Sequence, residues 1–306
     1  MANKYPLTNS ATQWARQVVS GRVNCCRYVQ LTAQRHIDGL KGQGQFYFDK
    51  AASERACGFA GELKHVKGKW RGSKISLQPW QLFIISNVFG WKVKSTGKRK
   101  YREAYIEVPR KNGKSVLAAV IGLYMLTIDG EPGAEVYSGA TSERQAMEVF
   151  RPAWHMVHTD QELKKELGLD MSGTAQNPTS IYCLETASRF EPLVWNPGDG
   201  PSPHCSIVDE YHEHKNANLY DSQMTGMGAR EQPLIVVVTT AGTSTGVPCY
   251  DKRAQCISIL QGQVVNDSIF AIIFGLDDED DWSDFNLWPK ANPNFGVSVM
   301  EDYLKK

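Results

Sequence analysis

AYIEVPRKNGKSVLAAVIGLYML, residues 104 to 126, reads as a strand, a turn and a helix in succession. Residues 104 to 108 are β-rich and apolar, Pro109 opens a polar turn, and residues 116 to 126 are apolar enough for a buried helix. The turn ends in Gly113, Lys114 and Ser115, the second half of a G-x-x-x-x-G-K-[ST] loop, but Val108 stands where the first glycine is expected. Such loops hold phosphate because backbone N–H groups at a helix N-terminus face the anion. A lysine neutralises the outer phosphates and a hydroxyl completes a magnesium shell. A solvated loop rich in Lys and Arg accounts for the same residues, so a second element has to decide.

The rest of the chain supplies the setting. From Glu103 onward short β-rich runs (AYIEV, AEVYSGA, IYCLE, FEPLVW, CSIVDE, LIVVVTTA, SIFAIIFGL) alternate with helical ones, which predicts a mainly parallel sheet flanked by helices. Residues 11 to 40 predict two helices broken at Gly21. A third is predicted over 50 to 63 and a fourth in LQPWQLFIISNVFGWK, while NPGDGPSP before His204 is the strongest turn cluster. With 306 residues, 42% of them apolar, the chain can bury a large core. Its 34 Lys+Arg against 33 Asp+Glu leave no overall field, so a nucleic-acid partner must be met by a local patch. Seven cysteines, odd in number and without C-x-x-C spacing, read as reduced intracellular thiols. No run is long and apolar enough to span a membrane, so no membrane partner is expected.

The deciding element is HCSIVDEYHEH. A magnesium ion needs a carboxylate and an attacking water needs a base, and here a buried-type strand ends in Asp209 and Glu210. Open α/β sheets place ligands at that end of their strands. A third strand, LIVVVTTAG, ends in Thr239 and Thr240, whose hydroxyls either sense a terminal phosphate or cap the strand. Gln81, just before a hydrophobic helix, is an adenine candidate, because a side-chain amide can pair with a base edge.

In this order the motifs resemble the N-terminal ATPase part of the large terminase subunit of tailed double-stranded DNA phages. The resemblance is carried by CCRYVQLTAQRHIDGL, ISLQPWQLFIISNVFGWK, VPRKNGKS, ATSERQA, IVDEYHEH, VVTTAGTSTG and WPKANPNFG. It implies a RecA-like (ASCE) P-loop NTPase with an N-terminal helical subdomain. Residues 1–74 would be helical, 75–276 the ATPase domain, and 277–306 a linker toward a C-terminal nuclease domain absent from this chain. The strand ending in Thr239 and Thr240 should lie between the phosphate-loop strand and the Asp209 strand.

The resemblance further implies ATP and Mg2+ as cofactors, with Arg110, Asn112, Gly113, Lys114 and Ser115 on the nucleotide and Ser115 and Asp209 on the metal. Glu210 would be the catalytic base, Thr239 and Thr240 the coupling motif, and Gln81 the adenine contact. Arg110 would touch the phosphates, and Arg144 is the candidate arginine finger from a neighbouring subunit. The implied partners are double-stranded DNA, the small terminase subunit, the portal protein and neighbouring copies in a ring, in the host cytoplasm. The acidic run DDEDDWSD is expected to be solvated rather than a nuclease centre.

Two other readings share these residues. DEYH matches the D-E-x-H box of superfamily 2 helicases, but only about 65 residues follow TTAG, short of the second domain such enzymes need. A zinc hydrolase built on His204, Cys205, His212 and His214 leaves Gly-Lys-Ser and Gln81 without a role. For DNA, KVKSTGKRKYR (92 to 102) is the most cationic segment, either a backbone contact or a solvated hairpin.

Overall fold

The computed structural model describes residues 4–194 and 200–305; Trp195 and the first half of the NPGDGPSP cluster lie outside the described residues. Six parallel strands form the body of one sheet. They are β3 (Glu103–Glu107), β4 (Glu135–Ala140), β7 (Ser188–Val194), β8 (Cys205–Asp209), β9 (Leu234–Thr239) and β10 (Ile269–Ile273). Two further strands, β5 (Asp170–Gly173) and β6 (Pro178–Cys183), extend it as an antiparallel hairpin, giving the order β10-β3-β9-β8-β4-β7-β6-β5. β9 lies between the phosphate-loop strand β3 and the Asp209 strand β8, as the sequence predicts. A short pair, β1 (Phe46–Phe48) with β2 (Trp91–Val93), stands apart.

Both faces of the sheet are covered, which is why its strands are continuous apolar runs rather than alternating ones. On β9 the side chains of Leu234, Val236 and Val238 join one buried cluster, and those of Ile235 and Val237 join the other. β10 divides in the same way, with Phe270 and Ile272 opposite Ile269, Ala271 and Ile273. The crossovers are α5 (Lys114–Thr127), α6 (Glu143–His158) with α7 (Gln161–Glu166), α8 (Asn218–Gly226) and α9 (Pro248–Leu260). Ser142 caps α6 through a bond from the Gln145 N–H, which fixes where that helix starts beside β4.

Four helices precede the phosphate-loop strand: α1 (Pro6–Val19), α2 (Arg27–Gly39), α3 (Lys50–Phe59) and α4 (Pro79–Gly90). One apolar cluster runs unbroken from Ala11 and Trp14 through Phe83 to Phe270, so these helices share a core with the sheet. Thr32 Oγ1 and Cys26 Sγ of the α2 region bond the carbonyls of Ala271 and Ile273, securing α2 along the edge strand β10. The chain closes with α10 (Trp288–Ala291) and α11 (Glu301–Leu304). All seven cysteines are free and buried. Among the described residues no helix is long and apolar enough to cross a membrane.

The cationic segment 92 to 102 differs from a free DNA-binding patch. Arg99 is fully buried, 2.7 Å from Asp129 and bonded to the Gln232 carbonyl, Lys98 pairs with Glu231 and Lys100 with Asp267. The segment feeds β3 at the end of the sheet opposite the phosphate loop, and three of its charges, on Lys98, Arg99 and Lys100, answer carboxylates of the same chain. Lys94 at its tip stays exposed.

Candidate nucleotide site

The phosphate loop is shaped by three local requirements. Val108 continues β3 by donating to Thr239 O, and Pro109 has no N–H with which to prolong the ladder. Lys111 and Gly113 then take left-handed backbone conformations, φ 67° and 84°, that turn the chain into α5. At Gly113 a side chain would be strained by that φ and its Cβ would sit 3.3 Å from Gln81 Nε2, so glycine is required.

Lys114 is buried, and its Nζ donates to Val108 O at 3.3 Å and stands 3.7 Å from Glu210 Oε1. Burial lowers its pKa while the Glu210 and Asp209 charges oppose that shift. Asp209 ends β8 and accepts the Glu210 N–H at 3.0 Å; burial, then the Glu210 charge, lifts its carboxyl from 3.8 to about 7. Glu210 follows in a left-handed conformation, φ 46°. Its Oε2 is buried and makes no hydrogen bond, although His212 Nδ1 lies 3.3 Å away.

A cleft of about 970 Å³ brings together Arg110, Lys114, Ser115, Arg144, Glu148 and Glu210. It adjoins a more apolar pocket of about 350 Å³ that shares Lys67, Gly113 and Val116 with it and includes His65, Trp70, Gln78, Gln81 and Met156. A cleft with phosphate-loop groups beside an apolar pocket with an amide matches the two halves of a nucleotide.

Several residues sit otherwise than the sequence suggests. Gln81 lies within α4 rather than before it, and its Oε1 accepts the Gln78 N–H at 2.9 Å, which leaves Nε2 as the group facing the pocket. Asn112 turns its side chain away from the cleft into the loop and the chain's end, so only its backbone is placed for an anion. Thr239 and Thr240 do not line the cleft. The turn after Glu210 covers them: the His212 N–H donates to Thr239 Oγ1 at 3.1 Å, and the His212 ring lies 3.3 Å from Thr240 Oγ1. His212 thus stands between the hydroxyls of β9 and the Glu210 carboxylate, a position that D-E-x-H spacing alone did not reveal. Gly242 permits this, since a Cβ there would lie 3.0 Å from His212 Cβ.

The zinc cluster does not assemble. His204 lies at the start of β8, bonded to Asp129 at 2.9 Å, while His212 and His214 lie beyond its other end. Among the described residues no three His, Cys, Asp or Glu side chains are placed to hold a metal ion. In the acidic run, Asp277 and Asp280 pair with Lys290, and Asp281 and Asp284 cap local turns.

The family model for the terminase large subunit, ATPase domain, matches residues 79–256. The chain belongs to that family. It is 45% identical over 151 residues to Protein YmfN of Escherichia coli K12, covering 49% of this chain and 32% of that protein. The large terminase subunit of Enterobacteria phage HK97 is 24% identical over 245 residues, covering 77% of this chain and 44% of that protein. This terminase domain therefore spans less than half the length of either relative. The crystal structure of the HK97 large terminase superposes with a TM-score of 0.68 at 23% identity over 82% of this chain and 49% of that one, which supports the RecA-like α/β fold.

Proposed function

We propose that this chain is the ATPase of a viral DNA-packaging motor, binding ATP with Mg2+ and hydrolysing it to drive double-stranded DNA into a procapsid. The observation that carries this reading is the approach of Lys114, after β3, to Glu210, just after Asp209 at the end of β8, at 3.7 Å across the one intervening strand β9, with Ser115 in the same cleft. Lys114 and Arg110 neutralise the outer phosphates, and the N–H groups opening α5 bind their oxygens. Ser115 and Asp209 fit a magnesium ion: a buried carboxyl whose pKa rises to about 7 is one that a divalent cation would ionise. Held there, the ion would offset the charge of the outer phosphates.

Glu210 is the base that takes the proton of the attacking water. Lys114 must first leave the pair it makes with Oε1 for that oxygen to accept the proton. His212, set against Glu210 and both β9 hydroxyls, orients that carboxylate and carries the coupling assigned to Thr239 and Thr240. Partners in the working motor are neighbouring copies, the small terminase subunit and the portal, in the host cytoplasm. No cutting of DNA is assigned to these residues. In nucleotide-binding and phosphate-release assays with added DNA, Glu210→Gln should keep ATP binding and slow hydrolysis about 10² to 10⁴-fold. Lys114→Ala should lose binding; equal loss of binding in both variants would overturn this division of roles.

A further inference from the structure

Residues 292 to 299, expected to be part of a linker, are hydrogen-bonded to the phosphate loop, and Asn294, Val297 and Ser298 also line the smaller pocket beside it. Asn112, fully buried, donates through Nδ2 to the carbonyls of Pro109 and Arg110 at 3.1 and 3.2 Å and to Asn292 Oδ1 at 3.0 Å. Its Oδ1 accepts the Asn294 N–H at 2.9 Å. Asn294 Nδ2 donates in return to the Asn112 carbonyl at 3.1 Å, and Ser298 Oγ donates to the Lys111 carbonyl at 2.6 Å. Trp80 Nε1 anchors the segment from α4 by donating to Asn294 Oδ1 at 2.7 Å.

These bonds act on the loop's carbonyls, and in a trans peptide the carbonyl of one residue and the N–H of the next point opposite ways. Holding the Lys111 and Asn112 carbonyls toward the segment turns the N–H groups of Asn112 and Gly113 away from it. Those N–H groups belong to the set with which such a loop binds phosphate. Lys111, the loop's non-glycine residue in a left-handed conformation, is held there at its carbonyl by Ser298.

We infer that Asn294, supported by Ser298, is a positioning residue for nucleotide binding. The C-terminal segment sets the direction of the loop's donors, and by reciprocity nucleotide binding tightens the segment. This rests on the nucleotide reading above.

Hydrogen exchange on the unaltered chain reads the link directly. The amides of Asn294, Val297, Ser298 and Val299 bond to Asn112 Oδ1 or to Asn294 O, and they should exchange about tenfold more slowly with a non-hydrolysable ATP analogue and Mg2+ bound. Exchange unchanged by the analogue would overturn the inference. Asn294→Asp keeps the acceptor for Trp80 but loses the donor to the Asn112 carbonyl. By calorimetry it should bind the analogue about tenfold more weakly, with KM raised more than kcat is lowered. Trp80→Phe loosens the same segment without touching the loop and should weaken binding less; equal losses would reduce Asn294 to packing and overturn the inference. Ser298→Ala, at a partly exposed position that does not endanger folding, should weaken binding about threefold, and wild-type affinity there would count against the inference. If Lys114→Ala abolishes binding while Asn294→Asp binds with wild-type affinity, the positioning role alone fails. If the unaltered chain binds no analogue, the nucleotide reading fails and this inference falls with it.

Discussion

At Asp209 the proposed magnesium role and stability oppose each other. A carboxyl whose pKa rises from 3.8 to about 7 in the fold binds its proton more tightly there than in the unfolded chain. The stability it confers is complete below about pH 4 and is lost as pH rises through 7, where the buried group must ionise. Asp209→Asn should therefore raise the thermal midpoint at pH 8, with the gain shrinking toward zero near pH 4, while added Mg2+ and ATP analogue stabilise the wild type and not the variant. Thermal melts across that pH range check this; a variant less stable at pH 8 would mean that Asp209 already has an adequate cationic partner in Lys114. The identity of this carboxylate was legible because strand, Asp and Glu stand adjacent in the sequence. Its burial was not, because that depends on the turn through Glu210 to His214 folding back over β9. Thr239 and Thr240 end the strand beside the cleft, as the sequence places them, but the same turn brings His212 onto their hydroxyls, which spacing along the chain does not show.

Among the elements, the seven β-rich runs of the sequence all became strands, most plainly β9 and β10, whose burial on both faces shows as a continuous apolar run. β5, with Asp170, Ser172 and Gly173 among its four residues, carries no such signal and is a strand only through its pairing with β6. Charge was the least legible property, since a lysine in water and an arginine in a core ion pair look alike in sequence. The segment leading into β3 is the example. Arg99 is closed off from solvent against Asp129, whose carboxyl is held down to about 2 by Arg99 and His204 against the opposing cost of burial. Arg99→Gln should cost about 3–5 kcal/mol in urea unfolding, because it leaves Asp129 and His204 buried without their cation. The salt dependence of DNA binding should stay unchanged in that variant. Lys94→Gln, at the exposed tip, should be neutral in stability. A stable Arg99→Gln variant with a flattened salt slope would restore the segment as a DNA contact.

Across the whole molecule the question is which catalytic parts one chain holds. The family resemblance gives the arginine finger to a neighbouring copy, and the sequence could not test that, since the direction of the β4–α6 turn depends on strand order. In the sheet β4 lies directly beside β8, so the turn opens at the same end as Asp209, and Arg144 lines the cleft of its own Lys114 and Glu210. It is exposed at the rim of that cleft, so if the proposed nucleotide binds there Arg144 would act within its own chain. Arg144→Ala should lower phosphate release by roughly 10³-fold if it stabilises the transferred phosphoryl group. Mixing distinguishes the two arrangements: Lys114→Ala chains bind no nucleotide but retain Arg144, whereas Arg144→Ala chains bind nucleotide and lack the arginine. With Arg144 acting on its own cleft, an equal mixture should release phosphate at the mean of the two separate rates at every protein concentration. Activity above that mean, growing as the mixture is concentrated, would show that one copy's arginine serves the next copy's nucleotide and would return Arg144 to the interface between subunits.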